Sequence, residues 1–205
     1  MITTNKKQKE ETSYESPFFI SYLITDPIEY GDCVEELQKN LASSFENHEV
    51  DICCFRDKET PQIENLAKTL LEVSRKFNIP KVLINSNIEL AIKLQFDGVH
   101  LTSSQFDKIE QCKKQSLYTI ISCHTENEIE LAKKKGVDAV TYSPIFYKEN
   151  KGSAKGCEEL KRIVARYQED CFRIIALGGI VSEENIDQVK QTNASGFASI
   201  RYFVD

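Results

Sequence analysis

The sequence lacks the features that mark membrane, disulfide-rich and zinc-binding proteins. No stretch reaches the roughly 18 uninterrupted apolar residues of a membrane span, and the N-terminal MITTNKKQKEETSYES has no apolar signal-peptide core. None of the 7 cysteines falls in a CxxC or CxxH pair. These absences predict a cytoplasmic protein with neither a disulfide framework nor a structural zinc site, in which most cysteines are small buried hydrophobic residues.

An excess of positive charge is also absent. The chain has 26 basic and 32 acidic residues, a formal net charge of −6, which argues against nucleic acid or an anionic membrane surface as a partner. No Gly/Ser-rich linker or low-complexity run divides its 205 residues, of which 40% are hydrophobic. We therefore expect a polar tail over residues 1–16 and one domain over residues 17–205.

Short apolar runs alternate with longer amphipathic ones after this tail. The apolar runs, each predicted to be a strand, are FFISYLIT, VDICCF, KVLI, DGVHL, LYTIIS, DAVTY, FRIIAL and GFASI. Eight strand-helix units in about 200 residues predict a single (β/α)8 TIM barrel, with an open doubly wound sheet as the alternative. Asp205 follows the last strand so closely that the barrel is expected to be truncated at its last helix.

Catalytic residues of such a barrel lie at the carboxyl ends of its strands. His124 follows the strand LYTIIS on the same face as Ser122, and Thr125 with Glu128 forms a Thr-x-x-Glu capping box that begins the next helix. An imidazole exchanges protons near neutral pH, so His124 is the leading general acid/base candidate. His100, at the end of DGVHL, is a weaker one, whereas His48 precedes a strand and is predicted to be structural.

Three further segments are candidates for binding an anion. Arg56 and Lys58 follow the second strand two residues apart and are expected to point the same way, either as an anion clamp or as ordinary surface charges. Gly178 and Gly179 precede a helix that Ser182 begins, an arrangement typical of a phosphate site or of a plain tight turn. The polar loop after the sixth strand carries lysines that can close over an anion. These are Lys148, Lys151 and Lys155.

These motifs, in this order, resemble the thiamine phosphate synthase and TenI superfamily of phosphate-binding TIM barrels. The similarity runs from YLITDP through FRDKE, LIN, DGVHL, SCH, YSPIF and ALGGI to GFASI, which is nearly everything after the tail. In the synthase branch the resemblance implies that Arg56, Lys58 and Asn85 hold the pyrophosphate of a pyrimidine substrate. Resemblance to that branch also implies that two aspartates bind magnesium.

The sequence departs from the synthase pattern at its metal ligands. Ser86 occupies the first aspartate position and Gln105 the second, and Cys54 stands where that branch has a glutamine. Asp107 lies two residues beyond Gln105 and would compensate only in a rebuilt loop. Serine and amide oxygens replace carboxylates poorly at a hard cation, so we expect no cofactor, with magnesium needed only if the chain is a synthase.

The TenI branch also lacks these aspartates, and HLTSSQF is similar to its version of the loop. Resemblance to this branch implies a thiazole tautomerase, in which His124 of the Ser122-x-His124 motif moves a proton across a carboxythiazole phosphate. It also implies that the phosphate rests on Gly178, Gly179 and the main chain near Ile200 and Arg201, with Lys151 over the mouth. Arg201 stands where the family has a small serine. The substrate-binding set is Arg56, Lys58, Asn85, Ser122 and His100.

Three functions follow as hypotheses. The first is a metal-independent thiazole tautomerase, the second a divergent thiamine phosphate synthase, and the third a non-catalytic regulator that binds thiamine intermediates. The expected partner is a small phosphorylated thiazole, and association with a second copy of the chain or with other enzymes of the pathway is open.

Overall fold

A computed structural model describes residues 19–57, 60–147, 153–167 and 172–204, which form a closed barrel of eight parallel strands. The strands are β1 (Ile20–Ile24), β2 (Ile52–Phe55), β3 (Lys81–Asn85), β4 (Gly98–Leu101), β5 (Tyr118–Cys123), β6 (Ala139–Tyr142), β7 (Arg173–Leu177) and β8 (Gly196–Ser199). Strand β1 pairs with both β2 and β8, with Tyr22 opposite Ile52 on one side and Ala198 on the other. This closure confirms the predicted TIM barrel and excludes the open sheet.

Amphipathic helices surround the barrel. They are α1 (Pro27–Tyr30), α2 (Val34–Asn47), α3 (Ile63–Lys76), α4 (Ile88–Leu94), α5 (Ile109–Lys114), α6 (Glu126–Lys135), α7 (Gly156–Tyr167) and α8 (Glu183–Lys190), with a short 3-10 turn at Phe106–Lys108. The predicted capping box of Thr125 and Glu128 is present, and Ser182 caps α8 as predicted. In the described ranges no helix is both long and apolar enough to cross a membrane.

The alternation of side chains along each strand divides the core into two layers. An inner cluster fills the barrel with Tyr22, Ile24, Ile52, Cys54, Leu83, Ile120, Ala139, Ile175 and Ala198. A larger outer cluster lies between strands and helices and includes Leu23, Cys53, Val82, Ile121 and Val140. Four of the six described cysteines are buried, as predicted for most of them, and all six described are free thiols.

Hydrogen-bonding side chains just before the even-numbered strands join them in pairs to the odd strands at the amino-terminal end of the barrel. Asp51 accepts a hydrogen bond from the main-chain nitrogen of Ser21 at 2.8 Å. In the same way Asp97 accepts from Val82 at 2.7 Å, Asp138 from Thr119 at 2.7 Å and Ser195 from Ile174 at 3.2 Å. We call these four contacts the base latches. They tie β1 to β2, β3 to β4, β5 to β6 and β7 to β8.

The segment after β8 packs against α2 in place of a further helix. Among the described residues, up to Val204, no helix follows β8. Phe203 is fully buried, its ring stacks 5.7 Å from that of Phe197, and its carbonyl accepts a hydrogen bond from Ser44 at 2.7 Å. The His48 ring lies 5.2 Å from that of Tyr202, which agrees with a packing role. The predicted tail lies outside the described residues.

Candidate active site

His124 lies at the carboxyl end of β5, where the strand gives way to α6. Its ring is exposed, and its Nδ1 lies 3.1 Å from the main-chain carbonyl oxygen of Ser143. The Ser143 hydroxyl also lies 3.2 Å from Nδ1 and can donate or accept. Because the carbonyl oxygen only accepts hydrogen bonds, we assign the proton of the neutral ring to Nδ1 and its lone pair to Nε2. The main-chain nitrogen of His124 donates to Glu128 at 2.6 Å, which fixes the backbone under the ring. This arrangement suits a general base at the barrel mouth.

His100, by contrast, is buried inside the barrel, with 2% of its surface exposed. Its Nδ1 lies 2.8 Å from the hydroxyl of Tyr22, and its Nε2 lies 3.0 Å from Ser122 Oγ and 3.3 Å from Thr141 Oγ1. Burial, aided by the nearby Arg56 cation, lowers the pKa of His100 to about 4. The ring is therefore neutral at physiological pH and is enclosed by protein groups.

Arg56 forms an ion pair with a carboxylate in the segment that follows β1. Its Nη1 lies 2.6 Å from Oδ2 of Asp26, and its main-chain nitrogen donates to Thr25 Oγ1 at 2.9 Å. Asp26 also caps α1 by accepting from the main-chain nitrogen of Ile28. Arg56 is thus already neutralised by one carboxylate, while Lys58, its expected companion, lies outside the described residues.

Neutral hydrogen bonds connect the ends of β3 and β4. The Gln105 amide nitrogen donates to the Ser86 carbonyl at 3.1 Å, while its oxygen accepts from the main-chain nitrogen of Thr102 at 3.0 Å. Ser86 Oγ donates to Asn85 Oδ1 at 3.1 Å, and Asn85 Nδ2 donates to the His100 carbonyl at 2.9 Å. The side chains at both positions that the synthase resemblance assigns to magnesium ligands are therefore engaged with the protein itself.

These residues fit a magnesium ion poorly. They line a cavity of about 560 Å³ whose described lining includes only two carboxylates, Asp57 and Glu89. Oδ1 of Asp57 accepts from the Thr60 main chain at 3.1 Å, and Asp107 is exposed and lies 3.5 Å from Lys108 Nζ. No group of three or more His, Cys, Asp or Glu side chains able to hold a metal occurs in the described part of the chain. Magnesium favours several oxygen ligands that include carboxylates, and this set supplies few.

The Gly178–Gly179 turn borders a second cavity, of about 210 Å³, at the ends of β7 and β8. Gly178 has a φ of +99° and Gly179 a φ of +73°, conformations that side chains with a Cβ rarely adopt. A Cβ on Gly179 would lie 2.7 Å from Cβ of Phe146, so the loop after β6 also requires a glycine here. Within the described residues, the main-chain N–H of Gly179 has no hydrogen-bond acceptor.

Positively and negatively charged side chains line the cavity beside Gly178 and Gly179, which we call the glycine cavity. Its lining includes Ile200 and the exposed Arg201, together with Asp26 and Glu29. The Ser199 hydroxyl donates to the Ile180 carbonyl at 2.6 Å and so joins the two loops that form the cavity. Main-chain amides and Arg201 favour an anion here, whereas the two carboxylates oppose it. Lys151, the lysine predicted to cover the mouth, lies outside the described residues.

Two relationships in this region are not evident from the sequence. The Asp26–Arg56 ion pair joins the segments that follow β1 and β2, and the Tyr22–His100 contact crosses the barrel interior. The alternation of β1 predicts that Tyr22 faces inward, but its partner depends on the tilt of the strands, which local sequence does not specify.

Comparisons with known proteins agree with one another. The family model described as thiamine monophosphate synthase matches residues 21–203. The thiamine-phosphate synthase of Latilactobacillus sakei is 34% identical over 155 residues, covering 71% of this chain and 68% of that protein. The enzyme of the same name from Anoxybacillus flavithermus is 35% identical over 139 residues, covering 66% and 62%. The solved structure of a thiamine phosphate pyrophosphorylase from Pyrococcus furiosus superposes with a TM-score of 0.72, covering 87% of this chain and 84% of that one at 24% identity, which supports the fold.

Proposed function

The chain belongs to the thiamine monophosphate synthase family and is an enzyme of thiamine biosynthesis, and we propose that it is a thiazole tautomerase. The observation that carries this proposal is the pair of hydrogen bonds made by the Gln105 amide. At the place where the synthase resemblance implies a metal carboxylate, both ends of this side chain are bound to Ser86 and Thr102. The site therefore favours chemistry that needs an acid and a base rather than a hard cation.

His124 supplies that acid and base in this proposal. Its Nε2 lone pair removes a proton from the saturated ring carbon of a carboxythiazole phosphate. The electron pair of that C–H bond moves the double bond into the ring, and the exocyclic alkene carbon takes up a proton from the imidazolium. No proton is gained or lost overall, and the carbonyl of Ser143 holds Nδ1–H throughout. The aromatic thiazole is the product.

The phosphate of this substrate is assigned to the glycine cavity. The backbone amides at Gly178, Gly179, Ile200 and Arg201 and the Arg201 guanidinium supply its hydrogen-bond donors, and Lys151 is the further cation of this proposal. Asn85 and the Arg56–Asp26 pair are then left for the ring and its carboxylate.

Thiamine phosphate synthase is the second candidate, and the names of the relatives favour it over the tautomerase. Arg56 and Asn85 match the pyrophosphate-binding residues that the synthase resemblance implies. Asp57 follows β2 and lines the same cavity as Asn85 and Ser86, so its carboxylate would lie near a cation bound there. A synthase would have to work with this reduced set of ligands.

One experiment separates these candidates. The purified chain is incubated with the alkene tautomer of carboxythiazole phosphate, with and without hydroxymethylpyrimidine pyrophosphate and magnesium. Formation of aromatic thiazole without magnesium, lost in His124→Asn, supports the tautomerase. Formation of thiamine phosphate only with magnesium supports the synthase and overturns the tautomerase. Tight binding of the thiazole without turnover under any condition supports the regulator and overturns both.

A further inference from the structure

A hydrogen-bond relay that begins at two buried residues extends from β1 to the upper part of the barrel interior. Tyr22, with 0% of its surface exposed, contacts His100 Nδ1, and His100 Nε2 contacts the hydroxyl of Ser122. Ser122 is inward-facing on β5, two residues before His124, and is only partly buried. Because an inward-facing residue near the carboxyl end of a strand meets solvent through the mouth, the Ser122 end of the relay lies at the barrel mouth.

Chemistry determines the direction of the hydrogen bonds in this relay. Burial, and the neighbouring Cys54 and Cys53, hold the pKa of Tyr22 well above its ordinary value, so the phenol keeps its proton. An imidazole nitrogen 2.8 Å away is a far better acceptor than a thiol sulfur, so the phenol donates to Nδ1. The proton of the neutral ring is then on Nε2, which donates to Ser122 Oγ at 3.0 Å.

Thr141 completes the hydrogen bonding of the Ser122 hydroxyl. Its Oγ1 donates toward Ser122 Oγ at 3.5 Å, a long contact, from the neighbouring strand β6. A hydroxyl oxygen has two lone pairs and one proton. With His100 and Thr141 directed at the two lone pairs, the remaining proton of Ser122 is free to point into the mouth.

We propose that Tyr22 and His100 are positioning residues that hold the Ser122 hydroxyl as a hydrogen-bond donor to an anionic oxygen of the ligand. The proposal rests on the tautomerase function, and it assigns that oxygen to the carboxylate on the thiazole ring. The phosphate is assigned to the Gly178–Gly179 cavity on β7 and β8, whereas Ser122 lies on β5, so the two anionic ends of one substrate meet different strands. Because buried groups fix the Ser122 hydroxyl as a donor, it binds a carboxylate, which accepts hydrogen bonds, better than a ligand group that itself donates one.

The first test is a double-mutant cycle of Tyr22→Phe and Ser122→Ala, with affinity for aromatic carboxythiazole phosphate as the readout. Removing the phenol frees the buried ring to reverse its tautomer, so Tyr22→Phe should weaken binding by about tenfold. In the Ser122→Ala background the same change should have almost no further effect, because the relay no longer ends on a donor. Equal losses in both backgrounds would overturn the proposal, since Tyr22 would then act through packing alone.

The second test needs neither ligand nor variant. Nitrogen NMR of histidine-labelled wild-type protein reports which nitrogen of His100 carries the proton, and we expect Nε2–H. A neutral ring protonated on Nδ1 would overturn the relay, because Ser122 would then donate to His100 rather than to the ligand. This readout is independent of turnover. Absence of tautomerase activity combined with Nε2–H and tight thiazole binding would refute the proposed function while leaving the positioning role supported.

Discussion

The side chain of Gln105 bridges β3 and β4 by donating to the carbonyl of Ser86 at 3.1 Å while accepting from the Thr102 main chain at 3.0 Å. The loop is held by neutral groups at the place where the synthase resemblance implies a cation. We therefore expect calorimetry with millimolar Mg²⁺, or Mn²⁺ as its substitute, to show no binding without substrate. Heat that titrates to one metal per chain would contradict this expectation.

The matched control for that measurement is the double variant Ser86→Asp/Gln105→Asp. Ser86 has a φ of +64°, a conformation that aspartate tolerates better than most residues, so the main chain should accept the change. Two carboxylates facing one cavity should acquire a millimolar or tighter Mn²⁺ site. If this variant folds and still binds no metal, missing carboxylates are not the reason that the wild type lacks the site.

His124→Asn tests the proton-transfer residue. The asparagine amide occupies the place of Nδ1 and keeps a donor toward the Ser143 carbonyl, but it has nothing in place of the Nε2 lone pair. Thiazole isomerisation should fall about 10²- to 10⁴-fold. The free energy of unfolding should change by less than about 1 kcal/mol, because the capping box of Thr125 and Glu128 is untouched. A turnover rate close to that of the wild type would show that His124 has no role in proton transfer and only forms part of the turn.

The lowered pKa of His100 predicts that the free energy of unfolding depends on pH. Its pKa in the folded chain is about 4, against an ordinary value of 6.5, because burial and then Arg56 disfavour its charged form. Between pH 6.5 and about pH 4, the imidazole of His100 is protonated in the unfolded chain but not in the folded chain. The free energy of unfolding therefore falls as the pH is lowered through this range, and above pH 6.5 it does not depend on this residue. The total loss should be about 3 kcal/mol.

Urea unfolding of the wild type and of His100→Gln at pH 7, 5.5 and 4 measures this dependence. Carboxylates titrate in both proteins, so the difference between the two curves isolates the histidine. The variant should be less stable than the wild type at pH 7, since the relay is altered, and this gap should narrow as the pH falls. A gap that is constant with pH would show that His100 keeps an ordinary pKa in the folded chain.

Gly179→Ala tests the glycine cavity. The new Cβ would meet Phe146 at 2.7 Å and the Tyr147 carbonyl at 2.8 Å, at a φ of +73°. We expect a loss of more than about 1 kcal/mol in the free energy of unfolding and a weaker affinity for inorganic phosphate. Gly156→Ala is the control, because Gly156 has a similar φ of +78° but no neighbouring atom within 4 Å of the added Cβ. Equal phosphate affinity in both variants would show that the anion does not bind at this turn.

The barrel was predictable because its signals are local. Apolar runs, amphipathic helices and caps such as Thr125 and Ser182 each depend on a few neighbouring residues, and all eight predicted strands occur in the structure. Helix α1 was not predicted, since its four residues, Pro27–Tyr30, are too few to show a helical period.

The site was predictable only in part. Sequence placed His124, Asn85 and the glycines at strand ends, where the structure also has them. It gave no indication that His100 would be sealed beneath the mouth or that Arg56 would be neutralised by Asp26. Both facts arise from contacts between strands, whose partners are set by barrel closure and strand tilt rather than by spacing along the chain.

The base latches make the barrel modular. Each latch joins an odd strand to the even strand that follows it, so the amino-terminal end repeats one two-strand unit four times, with Asp51, Asp97, Asp138 and Ser195 in equivalent places. The mouth lacks this repetition, since the polar side chains there, such as Arg56, Asn85 and His124, are of different kinds. The end that keeps the barrel closed and the end that meets the ligand are therefore separately mutable. During evolution, an amide can therefore replace a metal-binding carboxylate at the mouth without a change in the residues at the amino-terminal end that maintain the fold.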